Sequence, residues 1–359
     1  MKTLSIPAVP NRPLFSKEEV CVYGDLMLRK NLALNFFENS AFDSSIVVYD
    51  QNYQNSQAYS RQFHEHMNEV ACFLRNKFSS GAVVVEIGCG KGDFFSLLEE
   101  GDYFKAYGFD STYEGTNNRI EKRYLVADDR MSADLIVLRH TLEHIHKPQC
   151  FLKMLKNVFC KGKIYIEVPS FEWIIDNEAF FDITYEHVNY FTEESLLNLF
   201  SGRCSEVGRS FGGQYQYIIA DIQDVSDDFD RIYKNGQWVD INFFELFSGL
   251  KQRINIIEEL LAKKNRCYIW GAATKGCLFL VHCGFLNKII DRVEFAVDIN
   301  PNKVGRFLPG SLVPIRGVRE LFENATSQDL LIVSNPNYMS EILIELSGSP
   351  LEGISVVAL

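Results

Sequence analysis

The 359-residue sequence predicts an α/β protein: a doubly wound, mostly parallel sheet followed by a second, smaller α/β domain. Three observations carry this expectation. Short apolar runs alternate with amphipathic stretches between residues 71 and 225. The same alternation restarts at Arg266. The glycine-rich segment "VVVEIGCGKGD", residues 83–93, stands where the first strand of such a sheet would turn into its first helix.

The elements follow in order. From Ser60, residues Phe63, Met67, Val70, Phe73 and Leu74 recur at helical spacing, so a helix should lead into the strand "AVVVEIG". Then come a helix "GDFFSLLEE", a strand "KAYGFD", a short strand near "RYLVAD", a strand "ADLIVL", a helix "QCFLKMLKNVF" and a strand "GKIYIEVP". "SEVGRSFGGQYQYIIADI" reads as two strands about a Gly-Gly turn, suited to an antiparallel edge. The expected organisation is an opening segment over 1–70, a central domain over 71–225, a helical linker over 226–265 and a C-terminal domain over 266–359.

Composition excludes several classes. With 47 acidic against 36 basic residues, a net charge of -11 and no dense Lys/Arg run, nucleic acid is not an expected partner. Pro7, Pro10 and Pro13 interrupt the N-terminus, and no stretch approaches the ~18 apolar residues of a membrane span, so a cytoplasmic protein without membrane contact is expected. Nine cysteines without a C-x-x-C pair predict neither a disulfide framework nor a four-thiolate zinc site; most are expected as reduced thiols in cores.

The loop after the first strand is a ligand cradle in this reading, since Gly88, Gly90 and Gly92 let the backbone approach a ligand closely. A dinucleotide fingerprint is G-x-G-x-x-G, but here the spacing is G-x-G-x-G and Glu86 precedes it. A carboxylate at that place repels phosphate and suits an amine-bearing or cationic ligand. "EIGCGKGD" resembles motif I of class I S-adenosylmethionine-dependent methyltransferases, whose ligand carries an amino group and a sulfonium and no phosphate. The resemblance implies the class I methyltransferase Rossmann-like fold and S-adenosyl-L-methionine as cofactor. Glu86, Gly88, Cys89, Gly90 and Arg139 are then expected at the cofactor, with Asp110 at its ribose hydroxyls and Asp128 near its adenine.

Two clusters can carry chemistry. "RHTLEHIHKP" holds Arg139, His140, Glu143, His144 and His146 just after the fourth strand, with His140 and His144 spaced for one face of a helical turn. No metal is expected there, because the H-E-x-x-H order is absent and no third ligand is obvious. "FFDITYEHVNYFT" holds Glu186, His187 and Tyr190, and a histidine beside a carboxylate can be tuned as a general base. Alternatively, His187 packs under the helix "TEESLLNLF", which Thr192 would cap. His64 and His66 fall on a polar helix face and are expected to be exposed.

Over nearly its whole length the chain resembles three-part C-methyltransferases related to those acting on nucleotide-linked deoxysugars. The motifs are "YDQNYQNSQAYS", "EIGCGKGD", "LEHIHKP", "YEHVNYFT", "WGAATKG" and "VDINPNKVGRFLPGSLVPI". The resemblance implies His187 as base with Glu186 beside it, and His144 and Tyr59 stabilising a developing oxyanion. It also implies a C-terminal Rossmann-like domain shaping the substrate cleft, with His140, Tyr190 and Lys275 toward the acceptor. Lys275 would meet a phosphate or stand solvated. Two features depart from the pattern: "LRKNLALNFFENSAFD" lacks the paired cysteines of an N-terminal zinc module, and Thr184 and Tyr185 replace the tyrosine and histidine that often precede the Glu-His pair. The expected function is C-methylation of a small-molecule acceptor by a monomer or homodimer, with nucleotide linkage left open. Methylation of oxygen or nitrogen, a nicotinamide oxidoreductase using "WGAATKG" and Asp298, and a non-catalytic binding protein are the alternatives.

Overall fold

The computed structural model describes residues 4–50, 52–57, 59–286 and 289–359. The chain opens with an antiparallel pair, β1 (Leu4–Pro7) and β2 (Tyr23–Leu26), and a second hairpin, β3 (Leu28–Asn31) and β4 (Phe36–Asn39). Helix α1 (Arg61–Lys77) starts where Ser60 accepts a hydrogen bond from the Phe63 amide. It buries Phe63, Met67, Val70 and Leu74 against the central sheet, as the spacing predicts, with Ala71 beside them, while Phe73 is only half-buried.

The central sheet is built from β5 (Val83–Ile87), α2 (Asp93–Glu99), β6 (Lys105–Phe109), β7 (Ile120–Glu121), β8 (Leu135–Arg139), α3 (Pro148–Phe159) and β9 (Lys163–Pro169). After β9 follow α4 (Phe171–Asp176), β10 (Asn189–Tyr190), α5 (Glu193–Asn198), β11 (Glu206–Ser210) and β12 (Tyr215–Asp221). The seven strands lie in the order β11-β12-β9-β8-β5-β6-β7. The pairs from β9 to β7 are parallel, and β12 and β11 form an antiparallel edge. This is the class I methyltransferase sheet, in which the order reverses beside β5 and leaves a crevice at its carboxyl end. The short strand falls at Ile120–Glu121 rather than at "RYLVAD". There the Asp129 carboxylate accepts from the Val126 amide at 2.8 Å and holds both Arg123 amino groups, which curls the segment into a turn.

Beyond β12 run α6 (Asp227–Asn235), β13 (Trp238–Asp240), α7 (Phe243–Leu246) and α8 (Leu250–Leu261). The expected linker is more than a linker, because β13 pairs with β3 and closes a four-stranded sheet, β10-β4-β3-β13. Arg29 of β3 lies over the Trp238 ring and donates to Glu38, which also takes the Tyr233 hydroxyl. No cysteine takes part in this sheet.

The last third contains β14 (Cys267–Trp270), α9 (Thr274–Phe285), β15 (Val293–Val297), β16 (Ile315–Arg316), α10 (Val318–Asn324), β17 (Leu330–Val333), α11 (Met339–Leu346) and β18 (Ser355–Ala358). Its five strands are all parallel, in the order β16-β15-β14-β17-β18. Phe180 and Phe181, fully buried after α4, pack with Phe279 and His282 of α9 into one apolar core shared with β1 and α8. The two α/β units are thus joined by buried apolar surface. Only four cysteines (Cys89, Cys267, Cys277 and Cys283) lie in cores; Cys72, Cys150, Cys160 and Cys204 are exposed, Cys72 and Cys150 on the solvent faces of α1 and α3. Among the described residues no helix is long and apolar enough to cross a membrane.

Candidate active site

A cavity of about 480 Å³ opens at the carboxyl end of β5 and runs between the central sheet and the C-terminal unit. Strand β5 delivers Glu86 to its wall with a side chain that is 3% exposed, and the Glu86 Oε2 atom has no hydrogen-bond partner. Burial pushes its carboxyl up to about 8, against the opposing field of Arg139 and with the help of Asp110 and Asp93. Gly88 follows at φ +77°, in contact distance of Thr141, where a Cβ would collide with the threonine hydroxyl. Gly90 (φ +56°) donates its amide to Asp110 Oδ2 at 2.8 Å, and a Cβ there would meet only open space. The loop is therefore pinned to β6 and bare toward the cavity. Its one cation, Lys91, is paired with Glu114 at 3.2 Å, so no free charge stands ready for a phosphate.

Beneath this loop lies a buried ionic network. Glu167 of β9, wholly inaccessible, accepts from Arg139 Nε at 3.0 Å and Nη2 at 2.8 Å, from the Tyr165 hydroxyl at 2.8 Å and from Ser210 at 3.2 Å. His66 and His140 bring ring nitrogens to 3.4 Å and 3.3 Å of the same carboxylate. Burial alone would raise the Glu167 carboxyl, but Arg139 and these donors outweigh it and hold it well below the usual range. His66 is thus buried, contrary to the expectation from its helix face, because α1 packs onto a carboxylate that needs donors. Arg139 also lies 4.3 Å from the Phe94 ring centroid. Glu167→Gln leaves that guanidinium buried and unpaired, and is expected to cost about 3–5 kcal/mol in urea denaturation.

The second cluster faces the same cavity. The Glu186 carboxylate, 2% exposed, accepts the Tyr53 hydroxyl at 2.9 Å and also binds Tyr49. Burial pushes it up to about 7 in spite of these two donors. Its backbone carbonyl meets His144 Nδ1 at 2.9 Å, so that nitrogen carries the proton and Nε2 presents the lone pair. Burial lowers His144 to about 4, which keeps it neutral at pH 7. His144 is consequently an acceptor, not the oxyanion donor expected from the sequence. His187 stands edge-on to His144 with ring centroids 4.8 Å apart, and burial, then His144, His140 and Lys275, hold it well below the ordinary histidine range. The Glu186 carboxylate does not orient His187 as expected, since the two tyrosines take it up.

The remaining expected residues divide. His140, at φ +50°, breaks the helical turn expected to align it with His144, yet both line the cavity. Lys275 lines it too, not free: its side chain is 11% exposed, ion-paired with Asp182 and set over the Trp173 and Phe181 rings. Tyr59 lines the cavity but is 49% exposed, while Tyr53 lines it with its hydroxyl on Glu186 and Tyr49 stands behind it against His144. Tyr190 is buried outside the cavity with its hydroxyl on the Thr184 carbonyl at 2.8 Å, too far committed to meet an acceptor. Cys89 is buried under the loop and does not reach the cavity wall. Asp110 turns onto Gly90 and Thr112, and Asp128 is exposed and outside the site, its neighbour Asp129 making the local contacts. Thr192 caps α5 as expected.

Residues 59–203 match the family model of a methyltransferase domain, and residues 242–357 match that of the C-methyltransferase C-terminal domain. The chain belongs to the S-adenosylmethionine-dependent C-methyltransferases. A curated relative of this methyltransferase, the C-methyltransferase NovU of Streptomyces niveus, is 22% identical over 311 residues, 78% of this chain and 73% of NovU. A SAM-dependent methyltransferase from Aquifex aeolicus superposes with a TM-score of 0.35 at 16% identity, over 47% of this chain and 94% of that one. The magnesium protoporphyrin IX methyltransferase ChlM of Synechocystis PCC 6803, solved with bound SAH, gives 0.34 at 12% identity, over 45% of this chain and 82% of that one. S-adenosylmethionine is the cofactor of the methyltransferase, and the residues fit it: an unpartnered buried carboxylate for a cation, and a glycine loop with no free phosphate-binding charge.

Proposed function

We propose that this methyltransferase attaches a methyl group to an activated carbon next to a carbonyl in a small-molecule acceptor, free or nucleotide-linked, with His187 as general base. The observation that carries this reading is a single cavity lined at one place by Glu86 and Gly88 and at another by His144, Glu186 and His187. When bound, the cofactor supplies an electrophilic methyl group. Glu86 would hold the positive charge of the donor, and Gly88 and Gly90 would let the backbone close on it. His187, kept neutral by burial, would take the acceptor's acidic C–H proton onto its lone-pair nitrogen, leaving the electron pair on carbon and its neighbouring carbonyl. Tyr49 and Tyr53 would fix Glu186, whose carbonyl fixes His144 against His187. The apolar joint between the two α/β units would hold the far wall of the cleft in place and keep water out.

Asp298 and the "WGAATKG" turn support the oxidoreductase alternative poorly. The buried Lys303 ammonium lies 3.2 Å from Asp298 Oδ2, and the Asn300 amide donates to Asp298 Oδ1 at 2.9 Å, so this carboxylate is already engaged by the protein. Transfer to oxygen or nitrogen remains the alternative that uses the same residues. Candidate ketone- and enol-bearing acceptors, incubated with ¹³C-methyl-labelled cofactor, are expected to give a product whose methyl carbon couples to carbon. A methyl carbon at the shift of an ether or amine would overturn the assignment to carbon.

A further inference from the structure

One polar side chain in the cavity has no part in the reaction above. Glu143 is 2% exposed and lines the cavity, and its Oε2 atom has no hydrogen-bond partner. The nearest ion-pair contact is His140 Nδ1, 3.8 Å from Oε1 and too distant for a hydrogen bond. Buried and without a partner, this carboxyl is costly to ionise unless a cation binds it.

Two imidazoles stand beside it. One ligating atom each from Glu143, His144 and His187 lies within 4.8 Å of the other two. His144 is prepared for ligation, since its Nδ1–H is committed to the Glu186 carbonyl at 2.9 Å and its Nε2 lone pair is left over. That is the outer-shell arrangement that fixes metal-bound histidines. Around them, Tyr53 ties the Glu186 carboxylate and the Tyr49 hydroxyl lies 3.1 Å from His144 Nδ1, so His144 is fixed, while the His187 ring packs against it edge-on and keeps its nitrogens uncommitted among the described residues. The sequence pattern disguises the set, because its third ligand lies next to one histidine and 44 residues before the other.

We propose that Glu143, His144 and His187 form a three-ligand site for a divalent first-row transition ion, with Zn²⁺ the best match, and that this ion inhibits methyl transfer. Two imidazoles and one carboxylate are a ligand set that Zn²⁺ takes readily, with a fourth position facing the cavity. The ion and the acceptor's proton need the same His187 lone pair, so they exclude one another. Inhibition rests on His187 being the base; binding of the ion does not.

The test uses the full-length protein, stripped with EDTA and dialysed, then titrated with ZnCl₂ by calorimetry and with CoCl₂ by absorption. The expected result is one ion per chain with a nitrogen- and oxygen-ligated cobalt spectrum. Zn²⁺ affinity should fall about 100-fold or more in Glu143→Gln, while cofactor affinity stays unchanged. Zn²⁺ should abolish turnover with the same midpoint as binding, and EDTA should restore it. No stoichiometric binding, equal binding by wild type and Glu143→Gln, or a thiolate charge-transfer band from an exposed cysteine would each overturn the site. Should Glu143→Gln fail to fold, His187→Asn is read in its place against the same criteria. Activity that rises with bound metal would overturn the inhibitory role and, separately, the assignment of His187 as base.

Discussion

Glu86→Gln is expected to abolish useful cofactor binding while making the empty protein more resistant to alkaline unfolding. The first effect follows from charge. A buried carboxylate opposite a bound ammonium or sulfonium contributes through a desolvated ion pair, and removing one partner of such a pair costs about 2–5 kcal/mol, a loss of affinity of about 30-fold to several thousand-fold. The second effect follows from linkage. In the folded protein the Glu86 carboxyl is raised from its ordinary 4.5 to about 8, so the folded state binds a proton that the unfolded chain has already released. Stability from this group is complete below the ordinary value and is lost as pH rises toward about 8, at a rate of at most about 1.4 kcal/mol per pH unit. Glutamine has no such proton to lose. Urea melts of variant and wild type at several pH values should therefore diverge between pH 4.5 and about 8, and run parallel above that range. Equal pH dependence in both proteins would contradict the buried, unpartnered state of this carboxyl.

His187→Asn is expected to lower kcat by about 10²–10⁴-fold while leaving cofactor affinity and the melting temperature near wild type. No hydrogen bond ties the His187 ring to another described residue; its neighbours are the edges of His144 and Tyr190, so the substitution removes a lone pair without breaking a network. Glu186→Gln is the useful contrast. It disturbs the carboxylate that Tyr49 and Tyr53 hold, and loses rate through misplacement of His144 together with stability. A His187→Asn enzyme with wild-type turnover would shift the base to His144, its edge-on neighbour and a second neutral imidazole on the cavity wall.

The residues that were legible in the sequence are those whose position depends on a regular element. Glu86 and its glycines sit at the end of an apolar strand, where register alone sets them at the crevice, and Ser60 and Thr192 mark helix starts by their chemistry. Tyr49 and Tyr53 were hidden because the segment before α1 is irregular, so no period tells which of its tyrosines turns inward; only burial separates them from the exposed Tyr59. His66 departs from its expected exposure for a different reason. Helical periodicity ranks a histidine with polar residues, yet the wholly buried Glu167, more than a hundred residues away, draws it inside. Asp128 and Asp129 cannot be told apart by sequence, and the structure gives the contacts to the second. The pairing of β13 with β3 joins segments some two hundred residues apart, a long-range contact that local pattern does not encode.

The central claim is that Glu86 and the bare loop after β5 receive a positively charged methyl donor. Calorimetric titration of the protein with S-adenosylmethionine at pH 7, run in two buffers of different ionisation enthalpy, tests it most directly. Saturable one-to-one binding with release of about one proton is predicted, because the carboxyl at about 8 must ionise to meet the cation, and Glu86→Gln should abolish both the heat and the proton. Absence of binding, or binding that releases no proton and survives the substitution, would contradict it.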